Sequence, residues 1–170
     1  MSKDESMKTL LLMRHGKSSW DNIDLSDHER PLKKRGKRDA RRMGDVIISE
    51  DLIPDIVLSS TANRAKSTAY LVSESFDLES DIQLHPSLYH GSLSDYFDLI
   101  SSLDDFVKIV MIIGHNPDLE EILLELTDIN ESLPTSALAQ IEFDIDHWSE
   151  LNNGIQGTLV GFWYPRGLSH

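Results

Sequence analysis

The sequence of 170 residues contains no cysteine. This absence excludes a disulfide scaffold, a thiolate metal site and a cysteine nucleophile. The chain also lacks any apolar run near the roughly 18 residues that a membrane-spanning helix requires. Its first eight residues are polar and the apolar run at 10–13 is short, whereas a secretory signal has roughly 7–15 consecutive apolar residues. These absences predict a cytoplasmic protein with no membrane partner.

Positive charge is scarce and unevenly distributed. The formal net charge of −13 argues against general nucleic-acid binding, which needs surplus lysine and arginine to neutralise phosphates. Yet 12 of the 16 basic residues fall within residues 1–42, and eight of them within 30–42. A local cationic region on an acidic body can attract an anionic ligand. We interpret most of segment 30–42 as a solvated helix face, with guidance of an acidic partner protein as the alternative.

The hydrophobic pattern predicts an α/β protein with a mainly parallel central sheet. Three continuous apolar runs, at 9–13, 56–58 and 107–113, are typical of strands that are covered on both faces. Helical periodicity separates them, and the last forty residues predict one or two more strands, one of them antiparallel, at the sheet edge. The length and composition suit one domain over 1–170, with 1–7 as a flexible tail. For the helix after the third run, we expect Asn116 as the N-cap and Pro117 as the first helical residue.

Chemically distinctive residues follow the three predicted strands. They are Arg14-His15-Gly16-Lys17-Ser18 after the first run, Arg64 shortly after the second, and His115-Asn116 after the third. In open α/β sheets, ligands bind at the carboxyl ends of the strands, so these residues are expected to converge. Guanidinium groups match phosphate oxygens, and an imidazole nitrogen can attack phosphorus to form a covalent intermediate. The pattern predicts a phosphate-binding pocket with two arginines and two histidines.

The same residues resemble the motifs of the histidine phosphatase superfamily, which contains cofactor-dependent phosphoglycerate mutases and many phosphatases. The similar blocks are Arg14-His15-Gly16, Arg30-Pro31-Leu32 with Gly36 and Ala40, Ser59-Ser60 with Arg64-Ala65 and Thr68-Ala69, and Gly114-His115-Asn116-Pro117. The segments Lys17-Ser18-Ser19-Trp20 and Pro134-Thr135 look most like those of SixA-type phosphohistidine phosphatases. The resemblance spans nearly the whole chain.

The resemblance implies a three-layer α/β/α sandwich of the phosphoglycerate mutase-like kind. It also implies catalytic roles for four residues: His15 becomes transiently phosphorylated, Arg14 and Arg64 clamp the phosphoryl oxygens, and His115 completes the pocket. No metal and no cofactor are expected. For substrate binding we add Gly16, Lys17, Ser18, Asp21 and Asn116.

The leaving-group acid is the point at which the chain departs from its relatives. Asn116 stands where acid-phosphatase-like members have an aspartate, and Asp21 stands where mutases usually have an asparagine. Asp21 is therefore a candidate acid, although an aspartate in a loop often serves as a turn residue. Alkoxide leaving groups need a proton, whereas phosphohistidine can release a neutral imidazole. A missing acid therefore favours phosphohistidine substrates.

Together these features predict a monomeric, metal-independent phosphatase with a phosphohistidine intermediate on His15, acting on protein phosphohistidine. One alternative is a phosphatase of small phosphate esters, for which Asp21 or Glu120 would supply the proton. Another is a module that binds phosphorylated molecules without hydrolysing them. The expected partner is a phosphorylated protein or a small phosphorylated molecule.

Overall fold

A computed structural model describes residues 7–77 and 81–168. Its six strands are β1 (Met7–Arg14), β2 (Ile56–Ser60), β3 (Ile82–His85), β4 (Ile109–Gly114), β5 (Leu138–Asp144) and β6 (Thr158–Trp163). The α-helices of the described residues are α1 (Lys34–Ser49), α2 (Asn63–Ser73), α3 (Leu93–Ser101) and α4 (Asp118–Thr127). None of these helices is long and apolar enough to cross a bilayer.

The strands form one sheet in the order β3-β2-β4-β1-β5-β6. The first four in this order are parallel, and β5 runs antiparallel to both of its neighbours. The predicted α/β class with a mainly parallel sheet is therefore confirmed. The antiparallel strand lies one position inside the edge that β6 forms, and β3 at the opposite edge was not predicted.

Both faces of the sheet are covered by helices, which makes the expected three-layer sandwich. Alternate residues of β1 and β4 point to opposite faces, so each continuous apolar run serves two separate cores. One core is built on Leu10, Leu12, Val110 and Ile112 with residues of α3 and α4, including Tyr96, Ile100, Leu119 and Ile122. The other is built on Leu11, Met13, Met111 and Ile113 with residues of α1 and α2, including Ala40, Met43, Ala65 and Val72.

Two local predictions need correction. The expected flexible tail extends to residue 7, but Met7 begins β1 and lies opposite Asp144 of β5, while residues 1–6 lie outside the described part of the chain. The helix predicted to begin at Pro117 begins at Asp118, with Pro117 itself in the N-cap position and no side-chain cap. Asn116 lies one residue before the N-cap position; its Nδ2 donates to Glu120 and Leu133, and its Oδ1 has no partner in the described structure.

Register brings the strand ends to one edge. Arg14, the last residue of β1, lies opposite Gly114, the last residue of β4. In β2, Ser59 lies opposite Ile113, one residue before the end of β4. The segments after all three strands therefore leave the sheet side by side, which is where parallel α/β sheets bind ligands.

Candidate active site

A pocket of about 270 Å³ opens at this edge. Its lining combines basic, imidazole and hydroxyl side chains: Arg14, His15, Lys17, Ser18, Trp20, Arg30, Arg64, His90, His115, Asn116 and Thr135. Of the nine residues predicted for the site, the structure places seven on the pocket wall. Gly16 and Asp21 are not on the wall, for different reasons given below.

His15 is buried and held in one orientation. Its Nδ1 lies 2.8 Å from the carbonyl oxygen of Gly16. A carbonyl can only accept, so Nδ1 carries the proton and Nε2 of the neutral ring keeps its lone pair. Burial lowers the pKa of His15 to about 4, and the charges of Arg64 and Arg14 add to the effect. The ring is therefore neutral, with a nucleophilic nitrogen, at neutral pH.

Gly16 acts through its backbone. Its N–H donates to Oγ1 of Thr68 at 2.9 Å, and that hydroxyl donates to the carbonyl of Arg64 at 2.7 Å. These bonds tie the segment after β1 to the first turns of α2. A Cβ on Gly16 would lie 2.9 Å from the carbonyl oxygen of Gly36. Gly16 thus orients His15 without facing the pocket.

His115 lies beside His15, with 5.1 Å between the ring centroids. Its Nε2 is 2.8 Å from the hydroxyl of Ser60, the last residue of β2. Burial, with a smaller effect from the nearby His15, lowers the pKa of His115 to about 3. Nδ1 of His115 is buried and has no hydrogen-bond partner among the described residues. Such an atom is costly unless a ligand or water pairs with it.

Three guanidinium groups approach the same space. Nη1 of Arg14 donates to the carbonyl of Leu133 at 3.0 Å, while its buried Nε has no partner in the described structure. Nη2 of Arg30 donates to Oγ of Ser18 at 2.7 Å. Arg64 is 6% exposed. Each guanidinium has five N–H donors, so these side chains retain donors for an anion.

Asp27 holds two of the three arginines and was not predicted as a site residue. Its carboxylate accepts from Nη2 of Arg64 and Nη1 of Arg30, each at 3.0 Å, and from Oη of Tyr89 at 2.7 Å. Its carbonyl oxygen also accepts from Nη1 of Arg64 at 2.7 Å. The hydrogen bond from Tyr89 and those from the arginines hold the pKa of Asp27 well below its usual range. Asp27 therefore stays ionised and fixes both guanidinium groups.

The sequence matches the histidine phosphatase superfamily (branch 1) over residues 10–96. The chain belongs to this family. It is therefore a phosphatase of the histidine phosphatase type.

Individual relatives agree with this assignment. An uncharacterized chloroplastic protein of Arabidopsis thaliana is 30% identical over 152 residues, which are 84% of this chain and 70% of the relative. The structure of a protein histidine phosphatase SixA complexed with tungstate is 26% identical, with a TM-score of 0.82 and coverage of 95% of this chain and 99% of that one. A protein assigned as the SixA of Agrobacterium tumefaciens is 27% identical, with a TM-score of 0.79 and coverage of 93% and 98%. The SixA-type resemblance is confirmed.

Asp21, which we predicted as a substrate-binding residue, does not line this pocket. Asp21 is exposed, it is absent from the pocket wall, and its backbone N–H donates to Oγ of Ser19. This geometry therefore gives no support to the prediction that Asp21 binds substrate. Asp21 is a turn residue, the role that a loop aspartate commonly has.

Glu120, the other carboxylate considered as an acid, is an acceptor inside the structure. Its Oε1 accepts from Nδ2 of Asn116 and from the backbone N–H of Leu133, both at 2.9 Å. Nδ2 of Asn116 also donates to the carbonyl of Leu133. That carbonyl is the one that binds Arg14. Glu120 and Asn116 thus brace the segment that positions Arg14.

His90 lies on the pocket wall and packs against Tyr89, and sequence reasoning predicted neither as a site residue. The His90 ring lies 4.1 Å from that of Tyr89 and 6.3 Å from that of His115. His90 has a φ of 58°, in the left-handed region, and its side chain is mostly exposed.

The chemistry of the lining is cationic and donor-rich. Among the described residues on the wall, none carries a carboxylate. No group of three histidine, aspartate or glutamate residues within 7–77 and 81–168 is arranged to hold a metal ion. The pocket is suited to a tetrahedral phosphoryl group. Its oxygens can bind the three guanidinium groups, and an imidazole nitrogen can attack its phosphorus.

Proposed function

We propose that the chain is a metal-independent phosphatase that transfers a phosphoryl group from protein phosphohistidine to His15 and then to water. One observation carries the proposal: the bond from Nδ1 of His15 to Gly16 leaves Nε2 as a neutral nucleophile in a pocket lined by three arginines. This is the arrangement required for covalent catalysis at phosphorus.

The two steps balance without a metal. Nε2 of His15 attacks phosphorus, the bond from phosphorus to the substrate imidazole breaks, and its electron pair leaves with that nitrogen. A water oxygen then attacks phosphorus, the bond to Nε2 breaks with its electron pair returning to that nitrogen, and inorganic phosphate leaves with both hydrogens of the water. Arg14, Arg30 and Arg64 bind the equatorial oxygens, where charge is spread in the transition state. The ring of His115, beside His15 on the pocket wall, donates to the same oxygens.

The lining of the pocket supports a phosphorus–nitrogen substrate. An alkoxide leaving group needs a proton, and carboxylic acids are the usual donors. No carboxylate is on the described wall, and Glu120 is committed to structural hydrogen bonds. An imidazole whose other nitrogen is protonated leaves as a neutral molecule. The similarity to a protein histidine phosphatase supports the same substrate class.

One observation favours phosphate esters as a second candidate. His90 lies on the pocket wall beside His115, and a protonated imidazole there can donate to a departing alkoxide. His90 then takes the part that the sequence analysis gave to Asp21 or Glu120. This candidate requires that esters are hydrolysed faster than phosphoramidates.

The decisive experiment compares rates on a phosphohistidine protein, phosphoramidate and a panel of phosphate esters. We expect the wild type to prefer phosphorus–nitrogen bonds and His15→Ala to lose all activity, while His85→Ala, outside the pocket, keeps it. Quenched wild type should carry phosphate on His15 that is labile in acid and stable in alkali. Equal activity of His15→Ala and wild type would refute the mechanism. Ester preference that His90→Ala abolishes would select the second candidate.

We also propose that residues 1–170 form one domain that acts as a monomer in the cytoplasm. One sheet that includes strands from Met7 to Trp163 supports a single domain. The lack of cysteine suits a reducing compartment. Sedimentation equilibrium at several concentrations tests the monomer.

A further inference from the structure

A second, larger depression of about 610 Å³ adjoins the phosphoryl pocket. We call it the basic groove. The two share Arg14, Lys17 and Thr135, so the groove begins where the pocket ends. None of the proposed catalytic steps uses the remainder of the groove.

The groove concentrates positive charge on an acidic protein. Six basic side chains and one carboxylate line it, although the chain has a net charge of −13. The basic residues are Arg14, Lys17, Arg35, Arg38, Arg42 and Arg166. Arg35, Arg38 and Arg42 recur at helical spacing, so they share one face of α1. The sign of the groove is therefore opposite to that of the chain as a whole, and it attracts anions.

Asp39, the one carboxylate, organises the arginines around it. It is 5% exposed, and its oxygens lie 3.2 Å from Arg38 and 3.9 Å from both Arg35 and Arg42. One buried carboxylate cannot neutralise three guanidinium groups. The remaining donors and the excess charge are available to a ligand.

The basic residues of segment 30–42, most of which we expected on a solvated helix face, fall into two sets in the structure. Lys37 is exposed and lies outside the groove, and Arg41 forms an ion pair with Glu74 on α2's side of the helix. Arg35, Arg38 and Arg42 instead line the groove. The solvated-face interpretation therefore fits Lys37 and Arg41, whereas Arg35, Arg38 and Arg42 need a separate account.

We propose that the basic groove binds an acidic segment of the phosphoprotein substrate, close to its phosphohistidine. This inference rests on the proposed function and specifies what the substrate carries beside its phosphoryl group. Because the groove shares Lys17 and Thr135 with the pocket, the acidic residues must lie near the phosphohistidine on the surface of the substrate.

The form of the groove favours a protein segment over a small polyanion. The side chains of Arg35 and Arg38 are 45% and 63% exposed, so solvent reaches them and they are not enclosed in a closed site. Pro134, Tyr164 and Pro165 add carbon surface to the same groove. The seven residue steps from Arg35 to Arg42 rise about 10 Å along the helix, which matches about three residues of an extended chain. Two or three carboxylates of one segment can therefore contact the arginines together.

The test uses Arg38→Gln/Arg166→Gln, which removes two groove charges that the phosphoryl pocket does not contain. Lys37→Gln/Arg41→Gln is the matched control, since it removes the same charge from the same part of the protein outside the groove. On an acidic phosphohistidine protein we expect the groove variant to raise KM about fivefold to tenfold, as loss of two exposed ion pairs implies. Its kcat, and its kcat/KM on phosphoramidate, should stay those of the wild type. The control should leave all of these values unchanged.

A direct binding measurement separates this inference from the proposed function. An unphosphorylated hexapeptide of aspartate and glutamate should bind wild type, bind less at high salt, and bind the groove variant more weakly. This holds even if wild type hydrolyses no phosphohistidine protein, an outcome that would overturn the proposed function alone. Equal loss in the groove variant and the control would mean a general charge effect and would overturn the groove. Triphosphate that binds more tightly than the peptide, and that loses this affinity in the groove variant, would overturn it in favour of a small polyanion.

Discussion

Nδ1 of His15 donates to the carbonyl oxygen of Gly16 across 2.8 Å, and this bond decides which ring nitrogen faces the substrate. Burial of the ring lowers the pKa of His15 to about 4. We therefore expect the His15 ring signals in an NMR titration to stay constant from neutral pH to about 5 and to change near 4. His147 is an internal control, because its contact with Asp105 raises its pKa above the usual value. A midpoint near 6.5 for His15 would mean that the ring is solvated and the pocket geometry is wrong.

The same burial fixes the sign of a stability change with pH. The unfolded chain binds a proton at His15 below about 6.5, whereas the folded chain resists it until about 4. The contribution of His15 to the free energy of unfolding is therefore fully present above pH 6.5. It decreases by about 3 kcal/mol as pH falls towards 4. Urea unfolding of wild type and His15→Gln across this range in phosphate-free buffer measures it. The variant should show the smaller decrease, and parallel curves would contradict the assignment.

Asp27→Asn tests whether the carboxylate positions the arginines. The amide keeps the shape but loses the charge that holds Arg64 and Arg30. Hydrogen bonds to charged groups contribute about 1.5–3 kcal/mol, so kcat should fall about tenfold to a hundredfold. Inhibition by inorganic phosphate should weaken less than kcat falls, because the substitution also removes a negative charge that repels phosphate near the pocket.

Asp24→Asn is the control for that variant, since Asp24 is exposed in the same loop and its backbone N–H donates only to Asn22. Thermal unfolding of both variants separates positioning from a loss of folded protein. An unchanged kcat for Asp27→Asn would show that the arginines hold their places without the carboxylate.

The parts of the molecule that the sequence predicts are those with a strong local signal. Continuous apolar runs locate β1, β2 and β4, and the rule that ligands bind at the carboxyl ends of parallel strands then brings Arg14, His15 and His115 together. Strand β3 gave no such signal, because it is four residues long and Leu84 within it is exposed. Short half-buried edge strands lack the continuous pattern on which the prediction relied.

The second layer of the site depends on contacts between distant loops. Asp27 lies 37 residues from Arg64 and 62 from Tyr89, in a 3-10 turn that has the composition of an ordinary loop. Asn116 has a residue type that suits a cap, but it precedes the N-cap position and its Nδ2 donates to the carbonyl of Leu133, 17 residues away. Such contacts are a property of the folded chain and have no periodicity that a sequence can display.

Gly36 gives the last prediction, because it lets α1 lie directly on the segment after His15. A Cβ at Gly36 would lie 2.9 Å from the backbone nitrogen of Lys17 and closer still to its carbonyl oxygen. That carbonyl accepts from the backbone N–H of Lys33, so α1 and the segment after His15 cannot move apart without breaking this bond. Alanine favours helices over glycine by about 1 kcal/mol, but overpacking of this kind costs about 1–3 kcal/mol. We expect Gly36→Ala to lower both the unfolding temperature and kcat, whereas Lys37→Ala, one residue on and exposed, should change neither. A Gly36→Ala protein that is more stable and fully active would show that the helix and the active-site segment are not in the contact that the structure gives them.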